Sequence, residues 1–200
     1  MIEQVKAVFD KKDNAVCLVT GNSGTGKSLA AHLLCSDMLK TRRKMSLCDT
    51  HVPTDPGDNF EEVYTKISPT GQEPLVIVFE EVDGMVGALH DKKISQGQDV
   101  PVQIKTKADW NCLLDKIDRG LYPCTILVMT SNRSGQWFDD LDPSYMRQGR
   151  VDLRFEFKGR YFLIYLSMSY HHPFRPPVVL TCSDYPNPKS QSRLSFLHCT

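Results

Sequence analysis

The stretch that most constrains the fold of this chain is TGNSGTGKS, residues 20–28. It follows the apolar run AVCLV and precedes LAAHLLCSDML, in which apolar residues recur at helical spacing. The stretch matches the pattern G-x-x-x-x-G-K-S/T. Glycines let the backbone curl so that successive N–H groups face inward, and the following helix adds the positive end of its dipole. A strand, a glycine-rich loop and a helix in this order predict a phosphate-binding loop.

Eight consecutive residues of this loop are our candidates for nucleotide binding. They are Gly21, Asn22, Ser23, Gly24, Thr25, Gly26, Lys27 and Ser28. We expect Lys27 to reach the β- and γ-phosphates of ATP and the Ser28 hydroxyl to coordinate Mg²⁺. The alternative is a flexible Gly/Ser turn, which the strand before the loop and the helix after it disfavour.

The rest of residues 1–160 alternates apolar strand-like runs with helical patterns. The strand-like runs are 15–20, 44–49, 74–81, 124–132 and 151–157, and the helical patterns are 27–40, 58–67 and 108–120. Continuous Val/Ile/Leu runs are typical of a parallel sheet that is covered on both faces. The fold class is therefore α/β, and we predict a three-layer P-loop NTPase fold with a parallel central sheet.

The composition changes after about residue 160. Residues 161–200 are rich in Pro and Ser and show no lasting period, so we predict an irregular C-terminal tail that is disordered. A small docked element is the alternative. The domain boundaries are thus 1–160 for the ATPase core and 161–200 for the tail.

Two strand ends in the core carry polar residues with a chemical role. The run VIVFEE ends in Glu80 and Glu81, and TILVMTSN ends in Asn132. Ligands of open parallel sheets bind outside the carboxyl ends of the strands. We assign Glu80 to Mg²⁺, Glu81 to the attacking water and Asn132 to sensing the γ-phosphate. The alternatives are a solvated helix N-terminus for the acids and ordinary turn chemistry for the asparagine.

Two arginines follow in the segment LDPSYMRQGRVDLRFEF. Arg147 and Arg150 flank Gly149, and the simplest interpretation is a pair of surface charges at a helix end. An ATP hydrolase, however, gains much from a guanidinium that a neighbouring subunit supplies to the γ-phosphate.

Four segments in this order resemble the AAA family of ATPases: GNSGTGKS, LVIVFEEVDG, ILVMTSN and LDPSYMRQGRVDL. The chain is most similar to the branch that contains the mitochondrial chaperone of the Rieske iron–sulfur protein, where the acidic strand end also begins with Glu. The resemblance covers roughly residues 13–157, and the residues that follow show no pattern for the family's helical lid. It implies ATP and Mg²⁺ as ligands, Arg147 and Arg150 as fingers acting in trans, and a hexamer-like homo-oligomeric ring.

The function expected from these observations is Mg²⁺-dependent ATP hydrolysis that drives remodelling or translocation of a protein partner. The first alternative is an ATP-binding assembly module with little turnover, and a less favoured one is a phosphate-loop kinase for a small molecule. A net charge of zero gives no indication of nucleic-acid binding.

The cysteines and the length of the apolar runs indicate the kind of compartment in which the protein is found. Seven cysteines without a CxxC pair, with Cys17 and Cys124 in apolar runs, predict buried thiols in a reducing compartment, most simply the cytoplasm. The run YFLIYLSM in the tail is much shorter than the roughly 20 residues of a membrane helix. We therefore expect an intracellular protein without a membrane segment.

Overall fold

The computed structural model describes residues 1–42, 44–94 and 100–158, together with the backbone of 178–181 and 195–199. The strands are β1 (Asn14–Gly21), β2 (Met45–Cys48), β3 (Leu75–Phe79), β4 (Thr125–Ser131), β5 (Leu153–Phe157), β6 (Val178–Thr181) and β7 (Ser195–Cys199). The helices are α1 (Ile2–Lys12), α2 (Lys27–Met38), α3 (Phe60–Ile67), α4 (Val82–His90), α5 (Lys107–Asp118) and α6 (Gly135–Leu141), followed by a 3-10 turn at Pro143–Tyr145.

The first five strands form the predicted parallel sheet, in the order β5-β1-β4-β3-β2. Strand β7 pairs with β2 in antiparallel fashion and β6 pairs with β7. The other residues of the predicted tail lie outside the described residues, so its irregularity and the boundary at residue 160 stay predictions.

Both faces of the sheet are covered, because successive side chains of one strand point to opposite faces. On one face Ala15, Cys17 and Val19 of β1 pack with residues of α1 and α2. On the other face Val16 and Leu18 of the same strand pack with residues of α3, α4, α5 and α6. The three-layer arrangement predicted from the apolar runs is confirmed, and it buries the central strands β1, β3 and β4 almost completely.

Several helices begin where the chain offers a cap. Asn59 accepts hydrogen bonds from the N–H groups of Glu61 and Glu62, which starts α3. Thr106 and Asp109 form a reciprocal capping box at the start of α5. The sequence patterns had not predicted α1, α4 or α6. Helix α1 presents Val5 to the core, so it belongs to the folded layer below the sheet.

The cysteines are less uniformly buried than the sequence indicated. Cys17, Cys35 and Cys48 are buried, and burial raises the pKa of the Cys17 thiol to about 12. Cys112, in contrast, is exposed, and Cys124 is half-buried. The prediction for Cys124 was wrong because β4 begins one residue later, at Thr125. Among the described helices, none is both long and apolar enough to cross a membrane.

Candidate functional site

The phosphate loop connects β1 to α2, and glycine is required at its ends. A Cβ atom on Gly21 would lie 2.6 Å from the carbonyl oxygen of Phe157, because the loop runs directly beside the end of β5. Gly26 has a φ of 87° and is the N-terminal cap of α2. Glycine adopts this left-handed conformation at little cost in free energy, whereas a residue with a Cβ atom is strained by it. The chain therefore turns from strand to helix within five residues, and the first N–H groups of α2 lie at the loop.

Lys27 lies inside this loop, although it is a charged side chain. It is only 8% exposed, and its Nζ donates to the carbonyl oxygens of Gly21 and Asn22 at 2.8 and 3.0 Å. A third hydrogen bond, of 2.8 Å, goes to Oδ1 of Asn132, the residue just after β4. The ammonium group thus joins the phosphate loop to the end of a neighbouring strand, and its three donors all point to oxygen atoms.

The two predicted acids follow β3, next to β4. Register pairs Phe79 with Met129, so Glu80 lies level with Thr130 of the neighbouring strand. The Thr130 hydroxyl donates to Oε2 of Glu80 and accepts a hydrogen bond from the N–H group of Glu81 at 3.1 Å. Glu81 has a φ of 51° and a ψ of 46°, a left-handed conformation that is uncommon for a residue with a side chain.

Asn132 connects the acids to the phosphate loop. Its Oδ1 accepts from Lys27, while its Nδ2 donates to Oε1 of Glu81 at 3.2 Å. Its backbone N–H group donates to Oδ1 of Asp83, also at 3.2 Å. These partners orient the amide, since its oxygen must face a cation and its NH₂ group a carboxylate. The end of β4 is thereby tied to the start of α4.

These residues surround a cleft of about 350 Å³ at the carboxyl ends of β1, β3 and β4. It is lined by Ser23, Gly24, Gly26, Lys27, Ser28, Leu29, Glu80, Glu81, Thr130 and Asn132. The volume lies in the range of small-molecule sites, and the position is the one at which ligands of open α/β sheets bind.

The donor set of the cleft fits a triphosphate with Mg²⁺. A buried ammonium, a loop with glycine at positions 21, 24 and 26, and a helix N-terminus are suited to phosphate oxygens. Ser28 and Glu80 provide a hydroxyl and a carboxylate at the same cleft. Among the described residues, no cluster of three or more His, Cys, Asp or Glu side chains could hold a metal alone. Mg²⁺ typically binds through one or two protein oxygens plus substrate phosphates, which this set allows.

The structure does not bring the two arginines to this cleft. Arg147 and Arg150 precede the amino end of β5, whereas the phosphate loop follows the carboxyl end of the parallel strand β1. Strand β5 pairs with β1 from Cys17–Leu153 to Gly21–Phe157, which separates the two ends by about 13 Å along the strand. Neither guanidinium lines the cleft of its own chain.

The two arginines also differ in their surroundings. Arg150 is 6% exposed and makes a bidentate ion pair with Asp115 of α5, at 2.7 and 2.9 Å, and it also donates to the carbonyl oxygen of Ser144. The Arg147 side chain is 56% exposed and contacts the same carboxylate at 3.1 Å. Hydrogen bonds from Arg150 lower the pKa of Asp115 to about 2. Arg150 is therefore a structural partner of Asp115, while Arg147 is available at the surface.

Sequence reasoning missed two polar residues of the site, Thr130 and Asp83. Thr130 was visible as one of the few polar residues in the apolar run TILVMTS, and its position level with Glu80 follows once β3 and β4 are neighbours. Asp83 was visible in the run FEEVDG, but its hydrogen bond to the end of β4 depends on how α4 packs.

A glycine-rich loop between strand and helix, a buried lysine inside it, and acids and an amide on adjacent strand ends define a phosphate-loop NTPase. Residues 17–159 match the family of ATPases associated with various cellular activities, AAA. This match covers well over half of the chain, and the chain belongs to the AAA family. The family generally uses ATP and Mg²⁺.

Solved structures that are similar to this chain include two Aeropyrum pernix proteins and a chain of an E. coli complex. The ORC2 protein of Aeropyrum pernix, in ADPNP–ADP complexes, aligns with a TM-score of 0.52 and 9% identity, over 83% of this chain and 50% of that one. A chain of the E. coli MS115-1 HORMA:CdnC:Trip13 complex aligns with a TM-score of 0.49 and 16% identity, over 82% and 57%. The Aeropyrum pernix ORC1 protein in complex with DNA aligns with a TM-score of 0.47 and 17% identity, over 86% and 49%.

The chain thus spans about half the length of the structures it matches. At 9% identity, the alignment with the ORC2 protein supports the fold alone. A comparison with curated protein sequences finds no match.

Proposed function

We propose that this chain binds ATP with Mg²⁺ and hydrolyses its β–γ phosphoanhydride bond. The observation that carries the proposal is the convergence of three groups at one cleft: the buried Lys27 ammonium, the Glu81 carboxylate and the Asn132 amide. Membership of the AAA family supports the same conclusion.

The predicted residues of the cleft have separate roles in this proposal. Lys27 and the loop N–H groups bind the phosphates, and Ser28 and Glu80 hold Mg²⁺. A Mg²⁺ ion held by these two side chains would supply positive charge against the negative charge that develops on the phosphates. Glu81 orients the attacking water and accepts its proton while the oxygen–γ-phosphorus bond forms and the bond to the leaving ADP breaks. Asn132 donates a hydrogen bond from Nδ2 to the γ-phosphate, in place of the one that it donates to Glu81.

We further propose that the chain works in a homo-oligomeric ring, in which Arg147 and Arg150 act on the ATP of a neighbouring subunit. Their separation from the cleft of their own chain supports an action in trans. Arg147 is the better candidate because it is exposed, whereas Arg150 must leave Asp115 or act by positioning its neighbour.

The work done by hydrolysis is proposed to be the remodelling or translocation of a protein partner, as in the Rieske-chaperone branch that the four motifs resemble. Buried thiols at Cys17, Cys35 and Cys48 are in keeping with a reducing compartment such as the cytoplasm.

A second candidate function is an ATP-binding assembly module with little turnover. It is favoured by two contacts within the chain: Glu81 is bonded to Asn132, and Arg150 is paired with Asp115. A catalytic carboxylate and a finger arginine that keep these partners after ATP binds would slow hydrolysis without preventing binding. A small-molecule kinase is disfavoured by the family match.

The test measures binding of a fluorescent ATP analogue and phosphate release on the same samples. Lys27→Ala should weaken binding by roughly 10- to 100-fold, since hydrogen bonds from a charged donor are lost. Glu81→Gln should bind like the wild type and release little phosphate. Lys40→Ala, at an exposed lysine just after α2, is the matched control and should behave like the wild type.

Each outcome has a distinct meaning. Binding with phosphate release above that of Lys27→Ala supports the ATPase. Binding without release favours the assembly module. A wild-type chain that binds no Mg²⁺–ATP contradicts both.

Mixing subunits tests the trans arginines. Arg147→Ala and Lys27→Ala chains are each expected to be inactive alone, and a mixture should partly recover hydrolysis where an intact Arg147 meets an intact cleft. No recovery at any mixing ratio would contradict an action in trans.

A further inference from the structure

We infer that Thr130 is the positioning residue that sets both acids of the cleft for hydrolysis, an inference that rests on the proposed function. Thr130 lies near the end of β4, in register with Glu80 on β3. It is fully buried at 0% exposure, yet it also lines the nucleotide cleft. A buried hydroxyl at a strand end therefore faces the side of the cleft where the acids lie.

The single hydroxyl of Thr130 is shared between the two acids. Its proton is donated to Oε2 of Glu80, and its oxygen accepts the N–H group of Glu81 at 3.1 Å. A hydroxyl has one donor and two acceptor positions, so both bonds form at once. The bond to Glu80 orients a side chain, whereas the bond to Glu81 orients a peptide group.

The peptide bond matters because Glu81 has a conformation that costs free energy. Its φ of 51° and ψ of 46° are left-handed, a conformation in which the Cβ atom lies too close to the following carbonyl oxygen. Such a conformation persists where surrounding contacts hold it. Thr130 supplies one contact through the Glu81 N–H group, and Asn132 supplies a second at the Glu81 carboxylate. The direction in which Glu81 leaves the backbone therefore depends on Thr130.

The chemical consequence concerns hydrolysis more than binding. Lys27 and the glycine loop bind phosphate without contacting Thr130, since their hydrogen bonds go to Gly21, Asn22 and Asn132. Loss of the Thr130 hydroxyl would free the Glu80 carboxylate at the metal, and it would release the Glu81 peptide group, whose orientation directs the Glu81 side chain toward the water. Residues that orient metal ligands in this way typically contribute 10- to 100-fold to affinity or activity.

The experiment compares Thr130→Val, which removes the hydroxyl from a side chain of nearly the same shape, with Thr130→Ser, which keeps it. The matched control is Thr125→Val at the other end of β4, where the hydroxyl of an equally buried threonine donates to the carbonyl oxygen of Pro123, outside the cleft. Steady-state hydrolysis, analogue binding and the Mg²⁺ concentration for half-maximal rate are measured for each chain.

Thr130→Val should lower kcat roughly tenfold or more, with KM within about twofold of the wild type, and should raise the half-maximal Mg²⁺ concentration. Thr130→Ser should keep most of the rate, and Thr125→Val should match the wild type. If Thr130→Val does not fold, Thr130→Ala against Thr130→Ser makes the same comparison, and circular dichroism reports which chains are folded.

The experiment distinguishes a failure of the Thr130 inference from a failure of the proposed ATPase function. If the wild type hydrolyses ATP and Thr130→Val behaves like Thr125→Val, the inference alone is overturned. If Thr130→Ser loses as much rate as Thr130→Val, the hydroxyl is not the reason and the inference is also overturned. If the wild type shows no activity above Lys27→Ala, the proposed function fails and the inference fails with it.

Discussion

His51 provides the sharpest test of the packing behind the site, because it is a buried imidazole among aromatic rings. It is 1% exposed, and its ring stacks on Phe79 with centroids 5.5 Å apart. Phe60 packs edge-on against it at 6.4 Å. Neither ring nitrogen has a hydrogen-bond partner among the described residues. Burial alone lowers the pKa of His51 from 6.5 to about 4, because the charged form loses its water.

This pKa shift makes stability depend on pH in a definite direction. Below pH 6.5 the unfolded chain protonates His51, whereas the folded chain does so only near pH 4. The unfolded state therefore binds more protons within this window, and the free energy of unfolding falls as the pH falls through it. Between pH 7.5 and 4.5 the loss from this one residue is about 2.5 kcal/mol, at 1.36 kcal/mol per unit of pKa.

The perturbation is His51→Leu, which introduces an apolar side chain of similar size and removes the titrating imidazole. Guanidinium unfolding of both chains at pH 7.5, 6.5, 5.5 and 4.5 measures the difference in free energy of unfolding. We expect this difference to shift in favour of His51→Leu by about 2.5 kcal/mol from the highest pH to the lowest. Other titrating groups are common to both chains and cancel in the difference.

His90→Leu is the control, since it makes the same substitution at an exposed position of α4. This control measures what the exchange of His for Leu does to unfolding at a position where the side chain is exposed in the folded chain. A difference for His51→Leu that changes by less than about 0.5 kcal/mol would refute the reasoning, because a desolvated imidazole must appear in the proton balance.

Two further substitutions test the phosphate loop and the ion pair between Arg150 and Asp115. Gly21→Ala should destabilise the fold by about 1–3 kcal/mol and weaken ATP-analogue binding, because the new Cβ would lie 2.6 Å from the Phe157 carbonyl oxygen. Gly84→Ala, where no atom lies within 4 Å, should instead be neutral or stabilise α4, and thermal unfolding compares the two. Asp115→Ala should cost about 3 kcal/mol in guanidinium unfolding, since it leaves the buried Arg150 without its carboxylate. A cost below about 1 kcal/mol would show that the ion pair between Arg150 and Asp115 contributes little to the free energy of unfolding.

The local parts of the fold could be predicted from the sequence. The phosphate loop is one continuous stretch, so its glycines, Lys27 and Ser28 follow from residue types at fixed spacing. The parallel sheet follows from apolar runs that do not alternate. Glu80, Glu81 and Asn132 were predicted because each ends such a run, and parallel strands end on the same edge. In the structure all three line the predicted cleft.

The missed elements depend on contacts between distant parts of the chain. Helix α1 carries charged residues along most of its length, and it is recognised only because Val5 and Phe9 meet the sheet. The exposure of Cys112 depends on which face of its helix meets the sheet, and that of Cys124 depends on the residue at which the next strand begins. Sequence patterns locate such boundaries only within a few residues.

The sequence by itself determined the class of chemistry, because a loop that binds phosphate is a local backbone structure encoded by adjacent residues. The tertiary structure alone decided how the acids are held and where the arginines lie. Thr130 reaches Glu80 only through the register of two strands that are 50 residues apart in the chain. Arg150 finds Asp115 across 35 residues, which no local pattern encodes. Such contacts arise when the layers pack, since packing brings together side chains that local spacing leaves unrelated.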